Sequence, residues 1–150
     1  MRFSNLSLNG LTRLFSLVVF FLMISFSSVD KAAVTAIPDA SFEWALIKLG
    51  IDSDGVQNGL VKNSDIQHIV SLDLSASAIV DLSGIESFTS LRELNVSKNK
   101  LQRLMLCSLS NLNALDCSSN NLLYLDIRKD AYFKKLNTAN NPKDLKISRY

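Results

Sequence analysis

The chain has 150 residues, of which 47% are hydrophobic, and its 16 basic and 14 acidic residues give a net charge of +2. Residues 37–97 carry three basic and nine acidic side chains, whereas residues 98–150 carry ten basic and four acidic ones. The basic side chains of the second half fall on several predicted faces and lack interleaved stacking aromatics, which excludes a nucleic acid as the partner.

The N-terminus is predicted to be a signal peptide. Two arginines accompany an unbroken apolar run over residues 14–26, which is too short for the roughly 20 residues of a spanning helix. Val34–Ala36 offers a small-residue cleavage site, and residues 25–27 offer a weaker one. We therefore assign residues 1–36 to a signal peptide and expect an exported protein, secreted or at the cell surface, with no stable membrane span after cleavage. An uncleaved membrane anchor is the alternative.

Residues 37–68 are predicted to form an N-terminal helical cap followed by an Asp/Gly-rich turn. Pro38 and Asp39 favour a helix start, and Gly50 favours its end. Apolar side chains recur at helical spacing in Phe42, Ala45, Leu46 and Leu49. The pattern predicts one short amphipathic helix that covers the first repeat, with Trp44 off the stripe and either packed at its edge or exposed.

The Asp/Gly-rich turn has two interpretations. Asp52, Asp54 and Asn58, with Asp65 further on, carry oxygens of the kind that calcium prefers. However, Gly55 follows the second aspartate directly, and no glutamate stands where it would close a calcium loop. Because Asp-Gly and Asn-Gly also form turns, we predict turns here, with calcium as a weak alternative and no other metal or cofactor.

Four segments follow the template L-x-x-L-x-L-x-x-N-x-L and start at residues 69, 91, 112 and 133. Self-similarity at a period of about twenty residues is the signature of a leucine-rich-repeat solenoid. The sequence therefore predicts an α/β leucine-rich-repeat solenoid over residues 69–150. It would contain a short parallel β-sheet of about four 21–22-residue repeats behind the N-terminal helical cap. Template slots 4 and 6 should point into the core.

The ninth slot of the template holds a predicted structural asparagine ladder, formed by Asn99, Asn120 and Asn141. Each amide can bond to backbone groups of its own or the next turn, which would otherwise cost about 1–3 kcal/mol each if buried unpaired. A second apolar set follows each asparagine and is predicted to be an extended second limb. Residues 141–144 are predicted to break the register, as an end cap or a truncation.

The sequence offers no catalytic constellation, so we predict no catalytic residues and no enzyme activity. His68 is the single histidine, and no nucleophile elbow, phosphate loop or paired-cysteine motif is present. Cys117 occupies an inward slot and Cys107 lies on the opposite limb, which argues against a disulfide between them. Cys117 is better explained as a small buried hydrophobe.

The cap at residues 37–59, the linker at residues 81–94, and the repeats LNVSKNKL and LDCSSNNL resemble secreted leucine-rich-repeat proteins of Bacteroidetes-type bacteria. The chain is more distantly similar to internalins. The resemblance covers residues 37–147. It implies an exported surface or extracellular protein with a binding role, usually with more repeats and often with a C-terminal sorting domain.

Candidate binding residues occupy the outward slots of the predicted strands. The predicted concave face carries Ser71, Asp73, Glu93, Asn95, Asp116, Lys135 and Asn137. A predicted edge on the second limb carries Arg103, Met105, Tyr124 and Asp126, unless this is a solvated convex surface with a snorkelling arginine. The predicted sheet covers roughly 440 Å², less than the roughly 800 Å² per partner of a standard interface, so a partner must also touch an edge or bind weakly.

The predicted function is binding of a protein or a glycan by a monomer at the bacterial surface or outside the cell. A structural remnant, or a truncated part of a longer repeat array without its own ligand, is the alternative.

Overall fold

Strands of three or four residues, repeated along the chain, make up most of the regular structure. The computed structural model describes residues 33–128 and 132–149. Most of the predicted signal peptide therefore lies outside the described residues. The elements are β1 (Val34–Ala36), α1 (Ala40–Lys48), β2 (Leu60–Lys62), α2 (Asn63–Ile66), β3 (Ser71–Asp73), a 3₁₀ turn (Ile85–Ser87), β4 (Glu93–Asn95), β5 (Arg103–Met105), β6 (Ala114–Asp116), β7 (Tyr124–Ile127), β8 (Lys135–Asn137) and β9 (Lys146–Arg149). None of the helices in the described part is long and apolar enough to cross a membrane.

The first strands of the four repeats form one parallel sheet in the order β3-β4-β6-β8. Leu72 lies opposite Leu94, which lies opposite Leu115, which in turn lies opposite Leu136. These leucines occupy the same template slot, so each repeat makes one turn of the chain. The predicted solenoid is confirmed as a parallel β-solenoid of about four turns.

The second limbs form another parallel sheet in the order β5-β7-β9. Leu104, Leu125 and Ile147 lie in register across it. The extended second limb predicted for each repeat is therefore present in the second, third and fourth turns. The first turn differs, because its second limb contains the 3₁₀ turn Ile85–Ser87 and no strand that pairs with β5.

The predicted register break at residues 141–144 does not interrupt the second sheet. Strand β9 pairs with β7, with Lys146 opposite Tyr124. The Leu145 N–H donates to the Pro142 carbonyl at 3.1 Å, and this turn accommodates one residue more than the preceding repeat contains. The fourth turn thus continues the solenoid. On it Leu136 and Ile147 are 38% and 45% exposed.

The asparagine amides join adjacent turns. Asn99 Oδ1 accepts the Ile79 N–H at 3.0 Å, and its Nδ2 donates to the Leu74 carbonyl at 2.9 Å. Asn120 and Asn141 make equivalent bonds to backbone groups of the turn before their own. The partners therefore lie in the same and the preceding turn, whereas the sequence suggested the same or the next.

Helix α1 packs against the first turn. Asp39 caps it, because its Oδ1 accepts the N–H groups of Ser41 and Phe42 at 2.8 and 3.0 Å. Phe42 is fully buried and stacks on Phe88 of the first turn, with the ring centroids 6.3 Å apart. Trp44 is 54% exposed, which decides between the two positions that the sequence left open for it.

The folded unit begins before the predicted boundary at residue 37. Strand β1 pairs antiparallel with β2, and its central residue Thr35 is 8% exposed. Cleavage after Ala36 would remove this strand, so the start of the folded domain is corrected to a position N-terminal to Val34. Cleavage at residues 25–27 would leave β1 in place; the cleavage itself remains a prediction.

Candidate functional site

The seven residues predicted for the concave face lie together on one face of the four-stranded sheet. On the first three strands their side chains alternate with the buried Leu72, Leu94 and Leu115, and on the fourth they alternate with Leu136, which is 38% exposed. They surround a shallow depression of about 370 Å³. We call this surface the strand face, and it consists of Ser71, Asp73, Glu93, Asn95, Asp116, Lys135 and Asn137.

One column of the strand face is used by the fold itself. Each of its four residues accepts, through Oδ1, the backbone N–H two residues later, at 2.8 to 3.1 Å. The column consists of Asp73, Asn95, Asp116 and Asn137. Asn137 Nδ2 also donates to Asp116 Oδ2 at 2.9 Å, which links two strands. These side chains hold the strand ends and leave only part of their hydrogen-bonding capacity for a partner.

Both aspartates of this column are held as carboxylates. Hydrogen bonds from Ser75 and Asn95 lower the pKa of Asp73, against opposing effects of burial and of the Asp116 charge. Burial would raise the pKa of Asp116, but hydrogen bonds from Ser118 and Asn137 outweigh it and keep that pKa below its ordinary value. The strand face therefore presents negative charge at neutral pH.

The other column of the strand face consists of Ser71, Glu93 and Lys135, whose side chains do not hold the strand ends. The Ser71 hydroxyl donates to Glu93 Oε2 at 3.4 Å, and Glu93 and Lys135 are exposed. Two strand spacings, roughly 10 Å, separate Glu93 from Lys135. A partner that lies across the strands therefore meets a carboxylate and then an ammonium group.

The predicted edge on the second limb is only partly available. Arg103 Cζ lies 5.0 Å from the centroid of the Tyr124 ring and Lys146 Nζ lies 5.8 Å from it, so the ring contacts two cations. Met105 is 59% exposed. Asp126, by contrast, is only 9% exposed on the central strand β7, which corrects its assignment as an exposed binding residue.

The oxygens considered for calcium are used in turns. Asp54 Oδ1 accepts the Val56 N–H at 2.8 Å, and Asn58 Oδ1 accepts the Leu60 N–H at 2.9 Å. Asp65 also bonds to a backbone N–H. Within residues 33–128 and 132–149, no group of three or more His, Cys, Asp or Glu side chains is arranged to hold a metal ion. The geometry favours the turn interpretation.

Asp52 differs from its neighbours in this loop, because it is 4% exposed. Its Oδ2 has no hydrogen-bond partner among the described residues. Burial, followed by the charges of Asp54 and Glu43, raises the pKa of Asp52 above its ordinary value. The sequence did not indicate this burial, which follows from the position of the loop against the end of helix α1, where the Asp52 N–H donates to the Leu46 carbonyl.

The single histidine and the two cysteines lie outside the strand face. His68 Nδ1 lies 3.2 Å from the carbonyl oxygen of Ser64, on the surface. Cys107 and Cys117 are both free thiols. Burial, with the charge of Asp116, raises the pKa of Cys117 to about 12, so this thiol stays protonated and unreactive at neutral pH.

A second concave surface was missed by the sequence interpretation. A groove of about 680 Å³ lies between the first turn and β5. We call it the β5 groove. Its only sequence signal is Gly84, whose φ of 101° favours glycine and where a Cβ would lie 2.5 Å from the Ala36 carbonyl oxygen. This glycine lies in the second limb of the first turn, which contains no strand that pairs with β5.

The described residues thus form a parallel β-solenoid of about four turns with a polar strand face. The functional domain of InlJ from Listeria monocytogenes, which includes a cysteine ladder, is similar to this chain with a TM-score of 0.57 and 22% sequence identity. The similarity covers 76% of this chain, which spans 30% of the InlJ chain. The internalin-like fold is therefore confirmed.

Two structures of domains of ZmpB from Clostridium perfringens are also similar. The structure of CBM51-2 with GlcNAc and INT domains has 30% identity and a TM-score of 0.47, covering 59% of this chain and 18% of that one. The structure of CBM51-2 and INT domains has 28% identity and a TM-score of 0.45, covering 73% of this chain and 22% of that one. No family model and no curated protein matches the chain.

Proposed function

We propose that the chain is an exported leucine-rich-repeat module, with helix α1 as its N-terminal cap, that binds a protein or a glycan at the bacterial surface or outside the cell. The observation that carries the proposal is the strand face, where Glu93 and Lys135 are exposed on a rigid parallel sheet. Their side chains have the exposure that recognition requires, whereas Leu94 and Leu115 on the inner side of the sheet are buried.

The leucine-rich-repeat assignment is supported by the asparagine amides that join successive turns at a fixed template slot. The cap assignment is supported by the stacking of Phe42 on Phe88. A solenoid needs such a terminal element because its end turn would otherwise expose its apolar side.

Catalysis and a cofactor form no part of the proposal. The Cys117 thiol stays protonated, which does not favour a nucleophile. Asp54 and Asn58 accept backbone N–H groups in turns, which does not favour a metal cofactor. Partner recognition would instead rest on hydrogen bonds and charge.

The size of the strand face limits the affinity that we expect. With three residues in each of four strands, the paired area measures roughly 19 by 10 Å. This is far below the roughly 800 Å² per partner of a standard interface. We expect weak binding, or a partner that also contacts loops beside the strands.

The alternative is a segment of a longer repeat array without its own ligand. The exposure of Leu136 and Ile147 on the fourth turn favours it, because a further turn would bury both side chains. Only the first proposal requires the strand face to bind a ligand, so ligand binding at this face distinguishes the two.

The test is a glycan array together with a panel of purified extracellular proteins, probed with the full chain. Glu93→Lys and Lys135→Glu reverse charges on the strand face, and Lys100→Glu reverses an exposed charge outside it. A ligand that the two strand-face variants lose at least about tenfold, and that Lys100→Glu retains, supports the proposal. No ligand on either panel, or equal loss in all three variants, contradicts it.

Export is tested separately by fusing residues 1–36 to a reporter enzyme that is active only outside the cytoplasm. Activity in cells that carry the fusion supports export. Its loss when charged residues replace the apolar run at residues 14–26 would show that the run is responsible.

A further inference from the structure

Strand β5 is an edge strand inside the repeat array. In the four-stranded sheet the first turn contributes β3, which pairs with β4. In the second sheet the order is β5-β7-β9, so no strand within residues 33–128 and 132–149 pairs with β5 on the side of the first turn. The first and second turns are therefore joined by strand pairing in the four-stranded sheet, but not in the sheet of the second limbs.

The second limb of the first turn bonds to the N-terminal cap and does not pair with β5. The Ile79 carbonyl still accepts the Lys100 N–H at 2.8 Å, so the two turns are joined up to that point. One residue later, the Val80 and Asp81 N–H groups both donate to Asp39 Oδ2 at 2.8 Å. The second limb of the first turn therefore follows the cap, and the β5 groove opens beside it.

The main chain of β5 is left with free hydrogen-bonding groups. The Gln102 carbonyl accepts the Leu123 N–H, and the Leu106 N–H donates to the Asp126 carbonyl, so the even-numbered residues of this segment face the third turn. In a parallel sheet alternate residues bond to opposite neighbours, and Arg103 and Met105 thus direct their N–H and C=O groups towards the first turn. No hydrogen bond joins these groups to a described residue of that turn.

The walls of the β5 groove suit an extended chain. Val80 and Met105 flank it and are 57% and 59% exposed, and Leu82 and Ile85 on the side of the first turn are buried. The volume of about 680 Å³ falls within the range of small-ligand sites. Asp81 and Glu86 also line the groove, which provides two carboxylates beside these apolar walls.

We propose that the β5 groove binds an extended peptide segment of a partner protein, which adds a strand to the free edge of Arg103–Met105. The free N–H and C=O groups select a main chain in extended conformation over a helix or a glycan, because only a strand matches their spacing. An apolar side chain of the peptide packs between Val80 and Met105. The edge is three residues long, so binding is weak and depends on the peptide backbone more than on its sequence.

The first test is amide hydrogen exchange of the full chain alone, followed by nuclear magnetic resonance. The amides of Arg103 and Met105 should exchange at least about a hundred times faster than that of Leu104, which is paired with β7. Protection of all three amides would overturn the proposal. It would mean that residues 1–32 or a second copy of the chain already covers the edge.

The second test is selection of linear heptapeptides from a displayed random library against the full chain. Met105→Pro removes an N–H that faces the groove without removing a β5–β7 hydrogen bond, and an edge strand tolerates proline. Selected peptides should bind Met105→Pro at least about tenfold more weakly, and the matched control Met105→Ala, which keeps the N–H, only a few-fold more weakly. They should also slow the exchange of the Arg103 and Met105 amides.

Equal binding to wild type and Met105→Pro, or no selected peptide, would overturn the proposal. Val80→Lys on the opposite wall gives a second test if Met105→Pro does not fold, because it blocks the groove without changing β5. The strand-face variants Glu93→Lys and Lys135→Glu should bind the same peptides as wild type does. Failure of the strand-face proposal and failure of this one are thereby distinguished.

Discussion

The carboxylate of Asp39 accepts the backbone N–H of Asp81 at 2.8 Å, which joins the start of helix α1 to the first turn of the solenoid. The other oxygen of the same carboxylate accepts the N–H groups of Ser41 and Phe42. One side chain therefore caps the helix and positions a segment about forty residues later in the sequence.

Asp39→Ala is expected to lower the free energy of unfolding by about 2 kcal/mol, since it removes a helix cap and the acceptor of the loop N–H groups together. Asp39→Asn keeps one acceptor oxygen and should fall between this variant and the wild type. Urea denaturation at pH 7, followed by circular dichroism, measures both. Equal stability of all three chains would show that water replaces the carboxylate without cost.

The same residue predicts a dependence on acid. Burial opposes ionisation of Asp39, but the four backbone hydrogen bonds outweigh it and lower its pKa below the ordinary value of 3.8. Its contribution to stability is therefore present above pH 3.8 and is lost as the pH falls through the folded value. Below about pH 4 the urea midpoint of the wild type should fall more steeply than that of Asp39→Asn; parallel curves would contradict the assignment.

Asp52→Asn is expected to stabilise the protein at pH 7. Because burial raises the pKa of Asp52, the fold favours the protonated form, and this contribution is present below pH 3.8 and lost as the pH rises through the folded value. The gain should reach about 1 kcal/mol at pH 7 and vanish below about pH 4. Asp144→Asn, an exposed replacement of the same kind, is the control, and a melt of each variant with added calcium tests the weak metal alternative.

Asn120→Ala should cost about 3 kcal/mol or more, because it leaves the Leu101 N–H and several carbonyl groups, including that of Val96, without their partner inside the protein. Asn121→Ala, at the exposed next position, should change stability by less than about 0.5 kcal/mol. Thermal and urea unfolding compare the two variants. Similar costs at both positions would mean that the amide ladder is not what joins the turns.

Glu93→Ala and Asp116→Ala separate the two columns of the strand face. Substitution of an outward surface residue usually changes stability by less than about 0.5 kcal/mol. Asp116 accepts hydrogen bonds from Ser118 and Asn137, however, so its removal should now cost about 1 kcal/mol, while Glu93→Ala should remain neutral. Chemical denaturation measures the free energy of unfolding of each variant. If Asp116→Ala leaves it unchanged, Asp116 is not needed for the fold and is available to a partner.

A backbone prediction concerns the eighth template slot, where Lys98 has a φ of 58°. Ala76, Ser119 and Asn140 occupy the same slot with similar values. Lys98→Gly relieves a left-handed conformation and should raise the melting temperature, with a gain of up to about 1 kcal/mol. Lys100→Gly, at an exposed position without a positive φ, should lower it. The opposite order would refute the strain argument.

The sequence correctly predicted the features of the fold that recur with the repeat period. The inward leucines and the slot of the asparagines recur at a fixed spacing, and that spacing determines which residues stack, from Leu72 to Leu136. The β5 groove was not predicted, because the position of its wall depends on hydrogen bonds between Asp39 and residues 80 and 81, far apart in the chain. Strand β1 was missed for a related reason: three residues carry no periodicity, and only their pairing with β2 defines them.

The candidate site was predicted less completely than the fold. Template slots correctly located the strand-face residues on one surface, since alternation in a strand is a local property. They did not distinguish Asp116, which holds a turn, from Glu93, because both occupy outward slots. The burial of Asp126 depends on its place in the central strand of a second sheet, whose neighbours no single repeat reveals.

The asparagine bonds run in one direction along the chain. Asn99 reaches back to the Leu74 carbonyl, Asn120 to that of Val96, and Asn141 to that of Cys117. Each of these asparagines therefore bonds back to the turn that was made before its own. Synthesis on the ribosome proceeds in the same direction. The asparagine of each new turn can therefore bond to the turn before it while the rest of the chain is still being made.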